Sequence, residues 1–173
     1  MKRSIGVATL ALLAVASPLA AQAPPGRWGV GAALGPAFPA GHLAASYDPG
    51  VSGVVYFTYG VLPRVAFGLD VGTSWLPRIH GGHGDFPEVL VGALWRPGSP
   101  RAPVRPFLLG GMGSIALNGD DPDDGAFAFG AGVGAAFGGS GIRGFVLLRC
   151  LRAVTGGGAT ILPLTIGLST RAP

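Results

Sequence analysis

The stretch Val65-Ala66-Phe67-Gly68-Leu69-Asp70-Val71-Gly72-Thr73-Ser74-Trp75 decides the fold. Its odd positions are mostly large and apolar, and its even positions are small or polar. A period of two is a strand with two unlike faces. The division recurs at Phe127, Phe129, Ala131, Val133, Ala135 and Phe137 against Ala128, Gly130, Gly132, Gly134 and Ala136. It recurs again at Leu162, Leu164, Ile166 and Leu168 against Pro163, Thr165, Gly167 and Ser169. Many strands of this kind, each with one face suited to hydrocarbon, indicate an all-β chain.

Working outward with breakers and alternation gives eight strands: Arg27–Pro36, Val51–Gly60, Arg64–Trp75, Pro87–Arg96, Val104–Leu117, Ala126–Gly138, Ile142–Arg152 and Thr160–Arg171. Most have the roughly 9–11 residues that a tilted transmembrane strand needs. Leu90, Leu94, Leu108 and Leu109 blur the two faces of the fourth and fifth. Short connections (Gly60 to Pro63, Pro97 to Pro103, Gly138 to Gly141) alternate with mostly longer ones, which hold Asp48, Asp85, Asp120, Asp121, Asp123 and Asp124. An even strand count with short turns at one end and longer loops at the other predicts an eight-stranded antiparallel up-and-down transmembrane β-barrel. Both termini then lie in the periplasm and the acidic loops outside.

Residues 1–21 have the parts of a secretory signal peptide: basic Lys2 and Arg3, an apolar core from Ile5 to Ala16, and small residues at Ala20, Ala21 and Ala23. Cleavage is expected after Ala21, with Ala23 as the alternative, leaving a short extension at 22–26 and a barrel over 27–173. The apolar core is too short for a spanning helix, which needs about 20 residues. The expected location is the bacterial outer membrane.

Composition agrees. A mean hydropathy of +0.51 with 12% charged residues suits a barrel solvated by lipid. The net charge of +4 falls to +2 without Lys2 and Arg3, and the remaining arginines are scattered singly, so no basic stripe points to nucleic acid. Cys150 is the one thiol, read as a small apolar strand residue rather than a nucleophile. Trp28, Tyr59, Trp75, Phe86, Trp95, Phe107 and Phe137 fall near strand ends and are assigned to interfacial girdles. Most glycines fall on the inward face, where small residues let a narrow barrel hold larger inward groups such as Tyr56, Asp70, Glu88 and Arg149.

Val104-Arg105-Pro106-Phe107-Leu108-Leu109-Gly110-Gly111-Met112-Gly113 and Leu162-Pro163-Leu164-Thr165-Ile166-Gly167-Leu168 carry a resemblance. They are similar to a proline-aromatic-glycine strand and the closing strand of the small eight-stranded OmpA/OmpX-type outer-membrane barrels, the outer membrane protein β-barrel domain family. The resemblance covers about Arg27 to Arg171. It implies outer-membrane lipid and the barrel-assembly machinery as partners, and shared architecture rather than one activity. Two departures stand out. Thr165 and Gly167 match the polar and glycine places of the family's terminal assembly signal, but Thr170 and Ala172 occupy its aromatic places; Leu147 stands where an inward acid often precedes the arginine at 149.

An arginine in a narrow lumen is expensive unless paired, so Arg149 is expected to meet an inward carboxylate such as Asp70 or Glu88 in an interior polar cluster of structural purpose. His80 and His83, beside Asp85 and Glu88, form a weak metal or acid–base pattern, for the surrounding glycines do not fix ligand geometry. Asp120 and Asp124 belong to a dense acidic loop that suits Ca²⁺, yet Pro122 and Ala131 occupy ligand positions of an EF-hand, so a solvated loop is the expectation. No catalytic residue, cofactor or extracellular partner is assigned. The functional expectation is a non-enzymatic structural or surface-interaction role. The alternatives are a lipid-modifying hydrolase, against which stands the lack of serine two places after either histidine, and a soluble secreted barrel binding an apolar ligand.

Overall fold

The structure, a computed structural model, describes residues 28–97, 99, 102–117, 125–138, 142–154 and 158–170. The signal peptide, the extension at 22–26, and Asp120 and Asp124 lie outside the described residues. The strands are β1 (Trp28–Ala40), β2 (Gly50–Leu62), β3 (Val65–Pro77), β4 (His83–Trp95), β5 (Val104–Ala116), β6 (Gly125–Phe137), β7 (Ile142–Ala153) and β8 (Thr160–Thr170), with a 3₁₀ helix, Gly41–Ala45, after β1. Each pairs antiparallel with the next, and β8 closes on β1. Closure leaves no unpaired edge, which is what lets a sheet sit in hydrocarbon.

The register sets the stagger. A walk across the pairs from Arg105 passes Ala136, Phe145, Gly167, Ala33, Val54, Gly72 and Glu88 and returns to β5 at Ile115, ten residues up the same strand. Eight strands with a stagger of this order tilt by roughly 35–45° and enclose a lumen just wide enough for side chains to fill. At that tilt, strands of 11 to 13 residues are long enough to cross a hydrocarbon layer of about 30 Å.

Two strands outrun their sequence-based limits by four residues. β1 continues through Pro36 and Pro39 to Ala40, and β4 begins at His83 rather than Pro87. Proline reads as a breaker because it lacks an N–H, but the loss matters only where a neighbour needs that donor. Pairing between β4 and β5 starts at Glu88, so nothing on β5 stands opposite Pro87. Asp85 therefore lies in β4 and not in a loop. The connection that remains, 78–82, turns on Gly81 and Gly82, both at positive φ, and is closed by the Arg78 N–H donating to the Gly82 carbonyl.

Outward positions carry Val30, Leu34, Phe57, Leu69, Val91, Met112, Val133, Leu148 and Ile166, all exposed. The charged or imidazole side chains that face outward within the strands, His83, Asp85 and Arg152, sit at the loop end. Trp28 lies against Tyr59 with its ring tilted, centroids 4.7 Å apart, and shares the turn end with exposed Trp95 and Phe137; Trp75, Phe38, Phe127 and Phe129 ring the loop end. Two residues assigned to the girdles do not belong there. Phe86 and Phe107 are each 1% exposed and point into the lumen, because strand-end position says nothing about parity and theirs is that of the inward face. Cys150 is free and outward.

Candidate functional site

The lumen is built in three layers. At the loop end Leu76, Phe86, Leu90, Ile115, Leu151 and Ile161 form an apolar cluster, and Leu43 of the 3₁₀ helix joins it from above. Tyr47 packs edge-on against Phe86 at 5.3 Å, and the Arg78 guanidinium lies 5.8 Å from its ring centre. The connection that carries Tyr47 is fastened to the β3–β4 hairpin: the Asp48 N–H donates to the Pro77 carbonyl at 2.9 Å and the Ile79 N–H to the Ser46 carbonyl at 3.1 Å. Gly84 makes the seat, since a Cβ there would stand 2.6 Å from the Tyr47 ring.

The middle layer is polar. Arg149 reaches from β7 across the lumen to β3 and β4, with Nη2 2.7 Å from Glu88 Oε1 and Nη1 4.0 Å from Asp70 Oδ2. Arg149 and Glu88 are almost wholly buried, whereas the Asp70 side chain is 16% exposed. The inward glycines make room: a Cβ at Gly132 would meet Arg149 Cγ at 3.2 Å and one at Gly72 would meet Glu88 Oε1 at 3.0 Å. At 2.7 Å the Arg149–Glu88 contact is a close ion pair, at the separation of a charge-assisted hydrogen bond. A buried pair of this kind adds little net stability, but removing one partner strands the other charge. Ser52 and Ser74 are fully buried around the strut, and the Thr165 hydroxyl donates to the Leu147 carbonyl at 3.3 Å.

The turn-end layer is apolar again, but looser. Val54, Tyr56, Leu94, Phe107, Phe145 and Leu147 are buried together, with Phe145 edge-on to Tyr56 at 5.7 Å and to Phe107 at 6.4 Å. A cavity of about 40 Å³ runs among them from Gly29 and Thr58 to Asp70. Arg105 and Arg143 are on inward positions at this mouth; Arg105 Nη2 donates to the Gly138 carbonyl at 2.9 Å.

Asp70, Glu88 and Arg149 thus share the belt. His80 lies on the exposed 78–82 turn, and His83 opens β4 opposite Pro77, 3.9 Å from Asp85. His83 faces outward and Glu88 inward, so the histidine–glutamate pattern is split between the two sides of the wall. Among the described residues no group of three His, Cys, Asp or Glu is placed to hold a metal. Sequence reasoning missed Tyr47, Phe107 and Phe145 as lumen groups. Phe107 shares the parity of Arg105, and Phe145 that of Arg149, which was the available signal.

No protein family matches the chain, and no curated protein matches it in sequence. Among solved structures it is similar to Neisserial surface protein A (NspA), with TM-score 0.67 and 15% identity over 84% of this chain and 97% of that one. It is also similar to the N-terminal β-barrel domain of Pseudomonas aeruginosa OprF, with TM-score 0.56 and 15% identity over 82% of this chain and 96% of that one. At this identity the likeness is one of fold, and the fold is the small, closed, eight-stranded up-and-down barrel of transmembrane type.

Proposed function

We propose that the chain is a bacterial outer-membrane β-barrel protein with a non-enzymatic role, as a structural element of the membrane or a surface for interaction. One observation carries the reading: large apolar side chains stay exposed all round the barrel. A soluble protein rarely exposes an apolar patch above a few hundred Å², so a continuous belt of this kind calls for lipid. The soluble-barrel alternative needs the large apolar faces turned inward, and the wall has the opposite sense. Filling of the lumen by the chain's own side chains favours a structural role over free passage of solute. Outer-membrane lipid is the standing partner, and the barrel-assembly machinery the partner during biogenesis.

The test is gel mobility of unheated against boiled protein taken from the outer-membrane fraction in detergent. A heat-dependent shift is expected. Recovery as a soluble periplasmic protein with no shift would sink the membrane reading.

A further inference from the structure

The geometry points to a binding pocket for a small primary alkylammonium group in the turn-end half of the lumen, held by Asp70 and the rings of Tyr56, Phe107 and Phe145. These four residues line the same cavity. Ser169, Gly31, Tyr56 and Asp70 stand in one unbroken row across β8, β1, β2 and β3. Gly31 lets Ser169 come close to the row, for a Cβ at Gly31 would stand 2.9 Å from that of Ser169.

Charge supplies the first argument. The belt holds two carboxylates and one guanidinium, and Glu88 takes the close contact at 2.7 Å. Asp70, at 4.0 Å and more exposed, is left as the carboxylate that the cavity reaches. Ser169 Oγ is buried on the same wall with no hydrogen-bond partner. Aromatic faces beside a carboxylate are the recognition chemistry of organic ammonium ions.

The lining and the volume narrow the class. Apart from Thr58, whose hydroxyl donates to the Gly29 carbonyl, the remaining wall is aromatic, aliphatic and glycine, so a bare inorganic cation would be left partly uncoordinated, while a neutral apolar guest would leave the carboxylate unpaired. A cavity of about 40 Å³, at about 10–15 Å³ for each water-sized group, takes about three heavy atoms. That is an ammonium on one or two carbons. The loop-end cluster and the Arg149 strut close the other approach, so entry is from the turn end. Only the identity of that end as periplasmic rests on the membrane reading. Arg105 and Arg143 set positive charge at the mouth; a free amine must pass it, whereas the phosphate behind the ammonium of an ethanolamine headgroup would be met by it.

The experiment is thermal unfolding of the refolded barrel in detergent with ethylammonium chloride or sodium chloride at equal ionic strength. The wild-type midpoint should climb with the logarithm of ethylammonium concentration and not with sodium. Asp70→Asn should abolish the climb. Phe145→Leu, which keeps the carboxylate, should weaken it and serves if Asp70→Asn does not fold. Equal responses to the two salts, or an undiminished response in both variants, would overturn the proposal. A second arm separates the sources: a response lost in phosphatidylethanolamine bilayers but kept in phosphatidylglycerol bilayers identifies the lipid headgroup, and a response kept in both identifies a free amine. Binding in detergent is read whether or not the protein comes from the outer membrane, so failure here is distinct from failure of the gel test.

Discussion

Toward the loop end the lumen is packed by Leu76, Phe86, Leu90, Ile115, Leu151 and Ile161 and closed over by Leu43. Toward the turn end it is lined by residues just as apolar, with three aromatic rings among them, yet it keeps a cavity that reaches Asp70. The two halves obey one parity rule and contain similar side chains. What differs is the cap. The β1–β2 connection folds back over the loop end and brings Leu43 and Tyr47 with it, while among the described residues no connection caps the turn end, where two arginines point inward. Tightness in a small barrel is therefore a property of the connections as much as of the wall, and the Arg149 strut is the partition between the halves.

The largest effect should come from breaking the partition. Glu88→Ala leaves Arg149 with Asp70 alone at 4.0 Å and should cost about 3–5 kcal/mol in urea unfolding from lipid. A triple change, Asp70→Asn with Glu88→Leu and Arg149→Met, removes every charge together and should cost far less than Glu88→Ala. A triple variant as unstable as the single would mean that the strut stabilises outright.

Next in size is the comparison of the halves themselves. Phe86→Ala, in the packed end, should fall within the ~3–5 kcal/mol of a buried phenylalanine truncation. Phe107→Ala, beside an existing cavity that water can enter, should cost less by about 1 kcal/mol or more. Equal losses would show the two ends to be equally tight.

A smaller effect is expected at the cap. Gly84→Val drives a side chain into the Tyr47 ring and should cost about 1–3 kcal/mol as an overpacking change. Its sharper readout is protease cleavage within Gly41–Asp48 on intact cells, fast in the variant and slow in the parent. The smallest effect belongs outside the lumen: His83→Ala and Asp85→Ala, breaking a 3.9 Å contact between side chains 71% and 41% exposed, should each move stability by less than about 0.5 kcal/mol.

Parity carried much of this architecture. Strand number and the inward sense of Asp70 and Arg149 follow from period two in segments such as Val65–Trp75, where the two faces differ in chemistry. It failed where both faces carry large apolar groups. In Phe107-Leu108-Leu109 no side chain announces the lumen, and Phe86 was assigned by its closeness to a strand end. The extents of β1 and β4 were obscured by Pro36, Pro39 and Pro87, whose cost depends on partners that only the register reveals. The Glu88–Arg149 contact depends on the stagger across several strands, and the Tyr47 seat on a glycine 37 positions away. Neither is a local property of the chain.

The ten-residue stagger has a consequence for how such a chain can change in length. A sheet with an edge can absorb a lost residue by letting its outer strand slide. A closed one has nowhere to put the slip. Deleting one residue within β6 would turn every later β6 side chain to the wrong side of the wall, and deleting two would keep the sides but alter the stagger and with it the girth of the tube. Length variation is thereby steered into the connections, where a new residue leaves the closed ladder untouched, so the wall of this protein is discrete in a way that its loops are not.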